Sequence, residues 1–186
     1  MQKWYTDRLC LAVIDGNYAK GVLDYYERNK NLLSNWEPER DDEFYTIEHH
    51  EEQLNDSYER VQNRQELRLW IFKKNDENLE RPIGTLGFSN IVYGCFLSCF
   101  LGYKLDENEL NKGYMTEALK KGIEIAFEDY GLHRIEANII PRNEPSLAVV
   151  RKLGFIEEGL SPKYLKINGK WEDHIHMVLR NKALES

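Results

Sequence analysis

Cysteine is scarce in this chain: Cys10, Cys95 and Cys99 are its only three. An odd number leaves no complete disulfide framework. No second Cys or His pair stands at metal-ligand spacing from Cys95 and Cys99, which are read as lying four apart in one strand. Reduced thiols, no metal and a cytoplasmic location are therefore expected. Long apolar runs are missing as well. None approaches the roughly 18 residues of a membrane span, and the N-terminal MQKWYTDRLCLAVI has no small-residue cleavage site behind a long apolar core. Neither a membrane segment nor a signal peptide is expected. Positive charge is not in excess: 25 Lys and Arg stand against 32 Asp and Glu, for a net charge of −7. That argues against a general nucleic-acid binder, which would show a basic patch. It suits a basic or amine substrate, and it equally serves plain solubility.

What is present is enough apolar material for one packed domain over residues 1–186, at 41% apolar and 12% aromatic content. Residues 8–14 read as a strand. Asp15 caps a helix running to Arg28, and residues 29–43 are polar and irregular around Pro38. A second helix is expected over residues 46–64. Leu67–Lys73 alternates as a strand. Residues 83–92 and 95–103 form a hairpin across Tyr93-Gly94. A helix follows Gly113, then a strand over residues 134–140 and a short helix opened by Pro145 and stopped at Gly154. A final hairpin turns at Asn168-Gly169. The order predicts a mixed sheet with helices on its faces.

Residues 100–127, FLGYKLDENELNKGYMTEALKKGIEIAF, carry the most information. They read as a strand, a polar turn holding Gly113, and a helix with Met115, Ala118, Leu119, Ile123, Ala126 and Phe127 on one face. A strand feeding a glycine loop at a helix N-terminus is a ready anion site. Free N–H groups and the positive end of the helix dipole point at whatever lies there.

Four segments, in this order and spacing, carry a resemblance: GYKLDENELNKGYMTEAL, LHRIEANIIPRNEPSLAVVRKLGF, the EEG of residues 157–159, and NGKWEDHIHMVL. Over nearly its whole length the chain resembles the GNAT N-acetyltransferase superfamily. It is most similar to the bacterial branch that acetylates the N-termini of ribosomal proteins. The resemblance implies an α/β (α+β) GNAT fold, a mostly antiparallel twisted sheet with helices on both faces. It implies a V-shaped opening between the strand ending at Tyr103 and the strand over residues 134–140. It also implies acetyl-CoA as donor, with the pantetheine arm in the opening and the pyrophosphate on the loop of residues 110–115. Contacts would come from Leu101 and Tyr103, from Asn111, Lys112, Gly113, Tyr114 and Met115, and from Asn143 and Ser146 of an Asn-x-x-Ser motif. The family's loop reads Gln/Arg-x-x-Gly-x-Gly/Ala. Here Leu110 and Met115 replace the polar and the small residue, and only the central glycine matches. From the residues alone, Lys112 is equally a solvated loop lysine, Asn143 a helix cap and Ser146 an exposed first-turn residue.

Attack of an amine on an acetyl thioester needs a neutral amine, a donor for the developing oxyanion and a proton for the leaving thiolate. A backbone N–H near residues 101–103 is the expected donor, and Ser146 the expected proton source. The family's frequent base, a Glu two residues before the Gly of Gly-Tyr, is Phe100 here. At pH 7 about one in ten N-terminal α-amines is neutral, against about one lysine in 2,500. Loss of a strong base therefore favours an α-amine acceptor. Glu107, Glu109 or His174 with a water remains an alternative base, and His174 and His176 are otherwise strand decoration. The acceptor is expected to pass Trp36, Glu37, Tyr164 and Asp173, with Glu37 or Asp173 attracting its ammonium group; Trp36 is equally a loop anchor. The expected activity is N-acetylation of a primary amine, first of all the N-terminal α-amine of a ribosomal protein. A small amine such as a polyamine or drug, or acetyl-CoA binding without turnover, is the alternative. The resemblance also suggests a homo-oligomer.

Overall fold

A computed structural model describes residues 1–185. Eight strands form one sheet: β1 (Lys3–Tyr5), β2 (Leu9–Ala12), β3 (Leu67–Lys73), β4 (Gly84–Val92), β5 (Ser98–Leu105), β6 (Arg134–Ile139), β7 (Ile156–Ile167) and β8 (Lys170–Arg180). They are ordered β1-β2-β3-β4-β5-β6-β8-β7. Each neighbouring pair is antiparallel except β5 and β6. The helices are α1 (Ala19–Arg28), α2 (Lys30–Leu33), α3 (Ile47–Gln62), α4 (Tyr114–Glu128) and α5 (Glu144–Lys152).

Strand alternation sends successive side chains to opposite faces, and each face has its own core. On one face Leu11, Leu69, Ile71, Leu101, Ile135, Ala137, Ile139 and Met177 pack against Ala118, Leu119 and Ile123 of α4 and Leu147 and Val150 of α5. On the other, Cys10, Ala12, Trp70 and Phe72 pack against Val22 and Tyr25 of α1 and Leu54 of α3. We call these the α4 face and the α1 face. On β5, β6 and β8 the residues of opposite parity, Phe100, Gly102, Lys104, Glu136, Asn138 and His176, look out on the α1 face. Of these, Lys104 reaches the Tyr26 hydroxyl of α1 at 3.3 Å.

The parallel ladder between β5 and β6 is short. It pairs Ser98 with Arg134, Cys99 with Ile135 and Phe100 with Glu136. Past Phe100 the two strands part, and β6 continues only with β8. This is the expected V-shaped opening, with its vertex at Phe100 and Glu136.

Several elements differ from the sequence expectation. β1 is a three-residue edge strand, too short to show a period. Residues 29–43 are not wholly irregular, since α2 forms within them. Cys95 lies exposed in the β4–β5 loop, not in a strand. Leu97, at φ 46°, turns the chain there, and β5 begins at Ser98. The last hairpin is longer than expected, because β7 runs through Pro162 with a shift of register between Ser161 and Leu165. Pro162 is tolerated because β7 is an edge strand. Asp15 caps the turn leading into α1, as expected, and Thr46 caps α3 by accepting from the His49 N–H at 3.3 Å.

Candidate active site

The loop before α4 supplies the anion cradle. Gly113 is the N-cap at φ 80°, a left-handed conformation that favours glycine, and no side chain caps the helix. The N–H groups of Tyr114, Met115 and Thr116 therefore lack a helical partner. Asn111 is also left-handed, at φ 61°, a conformation asparagine tolerates. Met115, in place of a small residue, is buried in the core and packs away from the loop. Leu110 is 39% exposed. Lys112 is already engaged: its Nζ donates to the Asn108 carbonyl at 2.6 Å and lies 3.0 Å from Glu109.

Sequence reasoning missed Arg8, which lies more than a hundred residues away in the chain and has no local motif. Its Nη1 donates to the Lys112 carbonyl at 2.9 Å. Its guanidinium pairs with Glu117 at 2.7 Å and stands over the Tyr114 ring at 4.5 Å. A cation thus stands beside the uncapped helix end.

Across the opening, Tyr103 and Ser146 meet. The Tyr103 hydroxyl is 2.6 Å from Ser146 Oγ and also donates to the Ser146 carbonyl at 3.0 Å. Burial pushes the Tyr103 phenol up to about 12, so it stays protonated. The Asn143 side chain accepts from the Ser146 N–H at 3.3 Å, which makes it the cap of α5. Leu101 is buried on the α4 face beside Tyr103. All of this lies on the α4 side of the opening.

The proposed acceptor residues lie on the α1 face and its rim. Arg142 links the segment after α2 to β8, stacking on Trp36 at 4.8 Å, donating to the Asn35 carbonyl at 3.3 Å and pairing with Glu172 at 3.2 Å. Asn168 in the β7–β8 turn donates to the Ser34 carbonyl. The segment after α2 thus reaches over to the far hairpin. Glu37 is held by Lys104, and by Arg40 at 3.3 Å. Asp173 accepts the Lys163 N–H at 2.8 Å, which holds the shifted register of β7. Tyr164 packs against His176 at 5.1 Å, and its hydroxyl accepts from Asn138 at 3.3 Å. Of the alternative bases, Glu109 is shared by Lys73 at 2.7 Å and Lys112, and His174 is buried with Nδ1 3.1 Å from the Glu172 carbonyl. Burial pulls the His174 pKa down. Among the described residues, no group of three or more His, Cys, Asp or Glu could hold a metal ion.

The family model for the acetyltransferase (GNAT) domain matches residues 8–156. The chain belongs to the GNAT acetyltransferase family. It is 34% identical over 174 residues to the Escherichia coli [ribosomal protein uS5]-alanine N-acetyltransferase, covering 94% of this chain and 88% of that protein. The crystal structure of the ribosomal-protein-S5-alanine acetyltransferase from Vibrio fischeri superposes with a TM-score of 0.91 at 35% identity, over 97% of both chains. Mycobacterium smegmatis RimJ, solved in complex with CoA-disulfide, gives 0.87 at 26% identity over 96% of this chain and 84% of that one. The protein is thus an acetyl-CoA-dependent N-acetyltransferase, and this chain's own cradle fits the cofactor. Its helix end is uncapped, its strands part beyond Phe100, and a Cβ at Gly102, beside the opening, would meet nothing within 4 Å.

Proposed function

We propose that this GNAT enzyme acetylates the N-terminal α-amine of a ribosomal protein, and so acts in the cytoplasm. The observation that carries the reading is Phe100. It sits at the vertex of the opening on the α1 face, 38% exposed, and gives β5 no carboxylate there, while the carboxylate across the vertex, Glu136, is engaged by Arg134 at 2.7 Å and His176 at 2.8 Å. A site with no strong base there serves an amine that is already about one-tenth neutral at pH 7 far better than a lysine side chain. The relatives named for uS5-alanine acetylation support the same acceptor.

The residues divide the work. The N–H groups after Gly113, with Arg8 beside them, hold the pyrophosphate, and the freed edges of β5 and β6 hold the pantetheine arm. Acetyl-CoA supplies an activated acetyl thioester. A backbone N–H of residues 101–103 donates to the carbonyl oxygen as negative charge develops there. Ser146, fixed by Tyr103 and by the Asn143 cap, delivers a proton to the departing sulfur from the α4 side. The amine enters from the α1 face, past Trp36 and Tyr164.

Paired peptides test the acceptor. A peptide with a free N-terminus should be turned over. The same peptide with a blocked N-terminus and a free lysine should lose nearly all activity. Equal rates on the two would refute the assignment.

A further inference from the structure

On the α1 face, Arg68 of β3, Gly87 of β4 and Gly102 of β5 stand in one register row. Gly102 lies just past Phe100, on the stretch of β5 that has left β6. A Cβ at Gly102 would meet nothing within 4 Å. A Cβ at Gly87 would lie 3.2 Å from Arg68 Cζ and 3.3 Å from both Nη1 and Nη2. The guanidinium therefore lies flat over Gly87, in space that a side chain there would crowd. Two neighbouring strand glycines form a trough with no side chains of its own, a place where another backbone can approach closely. The trough runs from the opening to Arg68.

Arg68 is held at one end of its guanidinium. Its Nε donates to Glu66 Oε1 at 2.6 Å, and Arg60 Nε donates to Oε2 at 2.9 Å. Two guanidiniums thus share one buried carboxylate, and the trio keeps a net positive charge. Among the described residues, neither Nη1 nor Nη2 of Arg68 has a hydrogen-bond partner in the protein. The side chain is partly exposed and lines a cavity of about 490 Å³ shared with Tyr26, Phe44, His50, Arg60 and Trp70. That volume is ordinary for a ligand site. Neighbouring cations are already matched: Lys104 and Arg40 pair with Glu37, and Arg134 pairs with Glu136. Glu39 and Asp41 line the cavity from the exposed loop before α3, where Asp41 accepts the Phe44 N–H at 3.0 Å.

We propose that Arg68 is a specificity-determining residue, which takes the carboxylate of an Asp or Glu side chain close behind the acceptor's N-terminal residue. This rests on the acceptor being a protein N-terminus whose amine reacts at the opening. A guanidinium edge with two unengaged nitrogens matches a carboxylate in bidentate geometry. Neighbouring strands lie about 4.8 Å apart, so a guanidinium over β4 stands roughly one strand spacing from Gly102. An extended chain advances about 3.3 Å per residue. With the amine at the opening, the second or third residue of the acceptor comes over the trough, and its side chain faces Arg68.

The test compares kcat/KM on peptides of one sequence carrying Glu, Gln or Lys at the second or the third position, with wild type, Arg68→Gln and Arg68→Glu. Acetyl-CoA binding serves as the check on folding. Wild type should prefer Glu over Gln about tenfold at one of the two positions, the size of a charge-assisted pair. Arg68→Gln should lose that preference, and Arg68→Glu should turn it toward Lys. A merely structural role would lower all rates alike and leave these ratios unchanged. Equal wild-type rates on the Glu and Gln peptides would overturn the assignment, whether or not a variant folds. A preference for Glu that survives in Arg68→Gln would overturn it as well. If wild type ignores every peptide but acetylates small amines, the N-terminal acceptor fails, and an amino acid and its amide replace the peptides. A preference for the acid that Arg68→Gln abolishes then keeps Arg68 as the carboxylate site, and equal rates on the two remove it.

Discussion

Ser146 and Tyr103 share one short contact across the mouth of the opening, and that contact gives a half-buried serine a fixed direction. If Ser146 protonates the leaving sulfur, Ser146→Ala should lower kcat and kcat/KM together, by about 10²-fold, with little change in acetyl-CoA affinity. Steady-state kinetics with acetyl-CoA varied at saturating acceptor would show it. An unchanged rate would leave Ser146 as a first-turn residue of α5. The resemblance makes Tyr103 a cofactor contact, and the position of its hydroxyl is not legible in the sequence. Nothing in the sequence links a β5 tyrosine to a serine 43 positions on. The same holds for Arg68 and Gly87, which meet only through strand register.

At the scale of elements, the loop and the helix it opens are the most exposed to a single change. Gly113→Asp should raise the acetyl-CoA Kd at least ~10-fold in calorimetric titration. A left-handed φ costs a non-glycine residue about 1 kcal/mol, and the new carboxylate would face the phosphates and draw on Arg8, whose Nη2 lies 3.4 Å from a Cβ built there. Unchanged affinity would remove this loop from the account. The loop was legible because its signal is local: a strand, a glycine and an amphipathic helix in one stretch. The V was legible only through resemblance, because strand parting is a property of register. The long strands and helices showed their periods within their own residues, whereas β1 and α2, at three and four residues, are too short to complete one.

Across the whole molecule, the proposed account puts donor chemistry on the α4 face of the sheet and acceptor entry on the α1 face, and a part-buried ion pair ties α1 to the end of β5. Asp106, 1% exposed at the end of β5, accepts from Arg28 at the end of α1 at 2.6 Å, and Arg28 also donates to the Pro82 carbonyl. Burial alone would raise the Asp106 pKa, but the bonds from Arg28, the Asn108 N–H and Asn29 reverse this and hold it below the usual carboxylate value. Against the same burial, Glu109 is depressed by Lys73 and Lys112, and Glu117 by the Thr6 hydroxyl, the Arg8 N–H and the Arg8 guanidinium. A depressed folded-state pKa contributes stability in full above the unfolded value, and that contribution fades as pH falls through the folded one. Urea midpoints should therefore hold near neutrality and drop below about pH 4. Asp106→Asn should be less stable at pH 7 and less sensitive to acid; an unaltered acid limb would contradict this. The central claim concerns the acceptor. The most direct measurement is mass-spectrometric mapping of acetyl groups on unacetylated ribosomal proteins after incubation with this enzyme and acetyl-CoA. The account predicts a single acetyl group on the N-terminal residue of one of them. Acetylation confined to lysine side chains, or seen only on free small amines, would contradict it.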